Sequence, residues 1–143
     1  MEAIEYEHKA VRDLKVYGTP VEIETLIAHI ERQLDADWFR AHEAEEEFRR
    51  RTGHVQWVFI RASSDDREGV AIELRATPFG LEVFSVVPER TTFSIDNYNA
   101  VVVEFYLRYL DPAALDLELM VEISPDEICA KRGHRHSAVI ASW

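Results

Sequence analysis

The chain has 143 residues, 47% hydrophobic and 30% charged, and its 27 Asp and Glu outnumber its 16 Lys and Arg for a formal net charge of -11. This length fits one domain over 1–143, large enough to fold around its own core without metal or disulfide. The charge argues against general binding to phosphate backbones or anionic lipid, the single cysteine excludes an internal disulfide, and no apolar run is long enough to span a membrane.

The first residues are acidic and lack the basic start and apolar stretch of a secretory signal. With one free thiol, which fits a reducing compartment, this sets the expected location as cytoplasmic. A first strand is expected around 14–17. Thr19-Pro20-Val21-Glu22 then opens a helix: Thr19 caps the first turn, Pro20 suits the first helical position, and Glu22 reaches back as in a capping box. Ile23, Leu26, Ile27, Ile30 and Leu34 fall on one stripe of that helix. The helical pattern extends, with or without a break, to Arg51. Gly53 ends it, and Arg49, Arg50 and Arg51 sit favourably at its negative end.

Three strands follow. Residues 54–61 place Val55, Trp57 and Phe59 on one face and Val58 and Ile60 on the other, which marks an interior strand. Val70, Ile72 and Leu74 alternate with polar neighbours, Thr77-Pro78-Phe79-Gly80 turns the chain, and 81–87 returns as a third strand before Pro88. The spacing predicts an antiparallel meander. Ser94 caps a second helix whose apolar residues run from Ile95 to Tyr109, and Asp111-Pro112 is expected to end it. In 115–123, propensity favours helix, but Leu115, Leu117, Leu119, Val121 and Ile123 alternate; periodicity takes precedence and predicts a strand. Ser124-Pro125-Asp126-Glu127 repeats the capping-box pattern and predicts a short helix ending at Gly133, and the apolar tail 137–143 is expected to dock on the domain. The expected fold is α+β: a two-layer sandwich in which two main helices cover one face of a mostly antiparallel sheet of four or five strands.

No phosphate-binding glycine loop, nucleophile elbow or zinc-protease helix motif occurs. His134-Arg135-His136 with Cys129 is the nearest approach to a metal motif, but its spacing matches no structural zinc site, and a solvated basic tail explains it better. His42 with Glu45 and Glu46 shares one helix face, without a second ligand set to complete a carboxylate-bridged metal site. Cys129 is better explained as a small apolar residue than as a nucleophile. The basic clusters 49–51 and Lys131, Arg132 and Arg135 are explained as helix-end charge. No metal and no cofactor is therefore expected.

Two features point toward protein partners. Between 111 and 127 there are six carboxylates and no Lys or Arg, and the predicted strand 115–123 would line up Asp116, Glu118, Met120 and Glu122 on one face of a sheet edge. Aromatic residues around Trp38-Phe39 and Tyr98, Tyr106 and Tyr109 exceed the needs of one helix stripe. The expectation is a non-enzymatic, bacterial or phage interaction protein (antitoxin, immunity protein or accessory subunit) that binds a basic partner through Asp116, Glu118, Met120 and Glu122. The competing readings are a small enzyme with a dispersed site using His54, His134 or His136 beside carboxylates, and a homo-oligomer joined through the 115–123 edge.

Overall fold

The computed structural model describes residues 13–35, 37–90 and 94–123, and the backbone of 127–129. Seven strands form one sheet in the order β2-β3-β4-β5-β1-β6-β7, with every neighbouring pair antiparallel. They are β1 (Leu14–Tyr17), β2 (Trp38–Arg40), β3 (Gln56–Arg61), β4 (Val70–Thr77), β5 (Gly80–Pro88), β6 (Met120–Ile123) and β7 (Glu127–Cys129). The meander β3-β4-β5 is as expected. The sheet exceeds the expected four or five strands because two three-residue strands, β2 and β7, close its two edges. Such short runs are below the length at which alternation is readable.

Helix α1 (Pro20–Gln33) starts at the expected capping box: the Thr19 amide donates to Glu22 Oε1 at 2.8 Å, and the Glu22 amide to Thr19 Oγ1 at 3.2 Å. Its stripe Ile23, Leu26, Ile27 and Ile30 is buried. The helical pattern does break before Arg51: β2 intervenes, and a separate α2 (His42–Thr52) follows, ended by Gly53 at φ 79°. Ser94 caps α3 (Ile95–Phe105) by accepting the Asn97 amide at 3.1 Å.

Asp111-Pro112 does not end this helix. Residues Tyr106–Leu110 form a π-turn in which the Asp111 amide reaches back to Tyr106 O, and α4 (Asp111–Leu117) continues with Pro112 in its first turn. A proline inside an α-helix lacks the donor for the carbonyl four residues back and crowds it; widening the preceding turn relieves that conflict. The expected strand 115–123 is therefore helical in its first part. Only Met120–Ile123 is strand, and Glu118, at φ 57°, makes the left-handed turn between the two. The expected helix from Ser124 is also overturned where it is described, because Glu127–Cys129 pairs antiparallel with β6. The tail 137–143 lies outside the described residues.

Alternation gives the sheet two unlike faces. Leu14, Val16, Phe59, Ile72, Leu74, Leu81, Val121 and Ile123 point inward and join α1, α3 and α4 in one hydrophobic core. Trp38 and Phe105 pack there as tilted rings with centroids 5.6 Å apart, and Phe59 and Phe105 with centroids 5.2 Å apart. Ala113 and Ala114 allow α4 to lie close on α1, where His29 Nε2 meets Asp116 Oδ2 at 3.2 Å. A bulge in β5 pairs Glu73 with Ser85 and Leu74 with Val83, leaving Phe84 as the extra residue. It lets Val83 and Val86 both reach the core and turns Phe84 to the opposite face.

Two substitutions test these backbone assignments. At Gly80, φ is 154° and an added Cβ would lie 2.0 Å from the Val16 carbonyl oxygen, so Gly80→Ala must push β5 off β1. The expected cost is about 3 kcal/mol in urea unfolding, and a loss below about 0.5 kcal/mol would contradict the close approach. Glu118→Gly removes the penalty of a side chain in the left-handed region and is expected to stabilise by about 1 kcal/mol. A strand at this position would instead lose stability with glycine.

Candidate functional site

The four residues expected to form one acidic strand face are split between two surfaces. Asp116 is on α4, exposed and paired with His29. Glu118 is the exposed residue that ends α4. Met120 and Glu122 are on the outward face of β6, where Glu122 accepts the Tyr17 hydroxyl at 2.5 Å and sits opposite Lys15. That hydrogen bond, with burial and the Glu122 charge behind it, raises the Tyr17 pKa. Strand β6 lies between β1 and β7, so both of its backbone edges are occupied and it offers no edge to a partner or a second copy. The alternating carboxylates are not collinear because helix and strand divide them at Glu118.

The other candidates separate in the same way. His42 Nε2 lies 2.7 Å from Glu31 Oε2, while Glu45 turns inward to Arg40, so His42, Glu45 and Glu46 do not converge. Among the described residues no three His, Cys, Asp or Glu are grouped to hold a metal. Arg49, Arg50 and Arg51 occupy the last turn of α2 as expected, with Arg50 on Glu47 and Arg51 over the Phe48 ring. Cys129 lies in β7 by its backbone, and Lys131, Arg132, His134, Arg135 and His136 lie outside the described residues. Of the aromatic group, Trp38, Tyr106 and Tyr109 are core residues.

Two ion networks, neither visible in the sequence, hold the helices to the sheet. In the first, Glu45 takes both Arg40 Nε and Nη2 at 2.9 Å and also accepts the Val58 amide at 3.0 Å, substituting for a strand where β2 ends. Arg40 Nη1 reaches Glu31 Oε1 at 2.9 Å. The His42 hydrogen bond, helped by Arg40, holds the Glu31 carboxyl below its ordinary pKa against burial. In the second, Glu104 on α3 receives Arg61 Nη1 at 2.7 Å, Trp38 Nε1 at 3.2 Å and Arg108 Nη1 at 3.1 Å. Burial pushes the Glu104 pKa up, but Arg61, Trp38, Arg67 and Arg108 together outweigh it and the net shift is downward. Arg108 also pairs with Asp35, which accepts the Tyr109 hydroxyl at 2.7 Å. That bond lowers the Asp35 pKa, while burial and Asp35 push Tyr109 up to about 12. Every member of these networks serves another member, so they are structural.

What remains available is the outward face of the sheet. In register across four strands, Phe39 of β2 stands beside Ile60, Ile60 beside Ala71, and Ala71 beside Val87. This row carries no charge; Phe39 is 50% and Val87 46% exposed. Further along the same face a second row reads Gln56, Arg75, Glu82, Lys15 and Glu122, in which opposite charges alternate from strand to strand. Arg75 and Glu82 close to 2.5 Å, and such cross-strand pairs stabilise the sheet they lie on. The sequence signal for the apolar row was the second, outward set of apolar residues on β3 and β5. It was readable only once the neighbours and the bulge were known.

Fold and site thus define an antiparallel α+β sandwich in which α1, α3 and α4 cover one face and the described part of the other face is half-buried, with Phe39, Arg75, Phe84 and Val87 exposed on it. No protein-family model, curated protein or solved structure matches the chain. No helix among the described residues is long and apolar enough to cross a membrane.

The lowered pKa values of Glu31, Asp35 and Glu104 give a signed pH dependence. Each contributes stability that is present above its unfolded value, about 3.9 for Asp and 4.3 for Glu, and is lost as pH falls through its lower folded value. Glu104→Gln leaves Arg61 buried without its counter-charge and is expected to cost about 3 kcal/mol near neutral pH. Its stability should then fall less steeply than that of the parent between about pH 4.5 and 3 in urea titrations. Parallel pH profiles would show that Glu104 is not a depressed carboxylate.

Proposed function

We propose that the chain is a non-catalytic interaction protein that binds a basic protein partner, and that the partner docks on the open sheet face. The observation that carries this reading is the uncharged row Phe39, Ile60, Ala71 and Val87, which crosses four strands with both ends half exposed. Three interstrand gaps make it about 14 Å wide, enough to seat the apolar centre of an interface. The net charge of -11 favours one class of occupant over the others. It attracts a cation-rich protein at long range and opposes the approach of a second copy of the chain. Asp116 and Glu118, both exposed, contribute to that field, while contact is made on the apolar row. An antitoxin, an immunity protein or an accessory subunit working in the cytoplasm of a bacterium, or encoded by a phage, fits these properties.

The test compares the parent chain with Phe39→Asp/Val87→Asp, two exposed positions where substitution is expected to change stability by less than about 1 kcal/mol in total. From lysate of the source cell at low salt, the parent should retain a protein of high isoelectric point that the double variant loses. Retention should weaken as salt is raised through the physiological range. A retained protein that the double variant holds equally well removes the sheet face from the reading, and salt-independent retention removes the charge argument. A parent homodimer that the double variant dissolves reassigns the face to self-association.

A further inference from the structure

At the other end of β3 from Ile60, the outer sheet face and α2 enclose a cleft of about 680 Å³, within the range of about 300–1,000 Å³ typical of small-molecule sites. Its walls are aromatic: Phe48 from α2, Phe79 from the β4–β5 turn and Phe84 from the β5 bulge. One deeply set polar side chain lines it. Gln56 is only 8% exposed, and among the described residues its amide has no hydrogen-bond partner. The amide atoms are nonetheless not sealed from solvent, so they open onto the cleft that the residue lines. Water satisfies an amide that opens onto solvent, and a ligand with a complementary edge takes that water's place.

The chemistry of that edge follows from the lining. A carboxamide presents a donor and an acceptor side by side, and a planar ring with an acceptor next to a donor satisfies both at once. Flat aromatic walls favour a flat aromatic guest. Arg75 does not make the cleft cationic, because its Nε and Nη2 both lie on Glu82 Oε2, at 2.7 and 2.5 Å. Arg51 over Phe48 and Lys15 over Phe79 cap the outer sides of the walls, while the chain's net charge of -11 opposes phosphorylated ligands at long range. We propose that this cleft binds an uncharged planar heteroaromatic molecule with adjacent donor and acceptor, the chemistry of a nucleobase or its nucleoside, held by Gln56 between the phenylalanine rings. The site shares no residue with the Phe39–Val87 row, so the two proposals stand or fall separately.

The test titrates adenosine, guanosine, cytidine and uridine, their monophosphates, and indole into the isotope-labelled full-length chain, with calorimetry alongside the amide spectrum. At least one nucleoside should bind in the millimolar range or tighter and move the side-chain amide signals of Gln56. Gln56→Leu, which keeps the bulk but removes the hydrogen bonds, should weaken that binding about tenfold. Phe84→Ala, at an exposed position whose loss the fold tolerates, should weaken it as well. The proposal is overturned by the absence of any response at millimolar nucleoside, by unchanged affinity in Gln56→Leu, or by indole binding as well as the best nucleoside. A monophosphate binding more tightly than its nucleoside would overturn the requirement for a neutral ligand.

Discussion

One carboxylate on α3 ties the helix layer to the core face of the sheet. Glu104 gathers Arg61 from β3, Trp38 from β2 and Arg108 from the next turn of its own helix. Arg61 points into the core face, where Val70 stands beside it and only 7% of it is exposed. A cation in that position needs a counter-charge close by, and α3 must lie across β2 and β3 to supply it. Once α3 is fixed, the π-turn brings Tyr109 and Arg108 to Asp35 just beyond α1, so α1 is tied into the same layer. These contacts keep α1, α3 and α4 on the core face and leave α2 as the helix beside the outer face.

The elements that declare themselves locally were legible in the residues. Thr19 to Glu22, Ser94, Gly53 and the Thr77–Gly80 turn each carry their geometry within a few positions, and all appear where the sequence places them. The alternation of β3 and β4 likewise predicts which residues reach the core. The ion networks are different, because Arg61 and Glu104 are 43 positions apart, and Arg108 and Asp35 are 73 apart. Nothing in a single sequence couples such residues. The apolar row has the same origin: Phe39 and Val87 become neighbours in a row only through Ile60 and Ala71.

The segment 115–123 shows how a correct local rule can mislead. Leu115, Leu117, Leu119, Val121 and Ile123 do alternate, but Leu115 is an exposed helix residue, whereas Val121 and Ile123 are buried strand residues. The pattern straddles two elements that each use half of it. Propensity was the better guide up to Leu117, and periodicity the better guide from Met120. The π-turn is what makes the difference, since without it Pro112 would have stopped the helix and freed the leucines for a strand. The left-handed turn at Glu118 then separates Asp116 and Glu118 from Met120 and Glu122, which removes the single acidic docking face.

On the proposed reading, that separation assigns attraction and contact to different residues. Lys15, Arg40, Arg50, Arg61, Arg67, Arg75 and Arg108 each lie against a carboxylate of the same chain. Such pairing uses both signs equally and leaves the excess of -11 unchanged, spread over exposed groups such as Glu24, Glu43, Glu46, Asp116 and Glu118. A spread charge speeds the encounter with a cationic partner without fixing its orientation. In the proposed complex, orientation comes from a surface with shape and little charge, and the row from Phe39 to Val87 is the candidate for it. Removing exposed carboxylates should therefore act mainly on association rate, and removing the row mainly on the lifetime of the complex, because desolvated apolar contact governs dissociation.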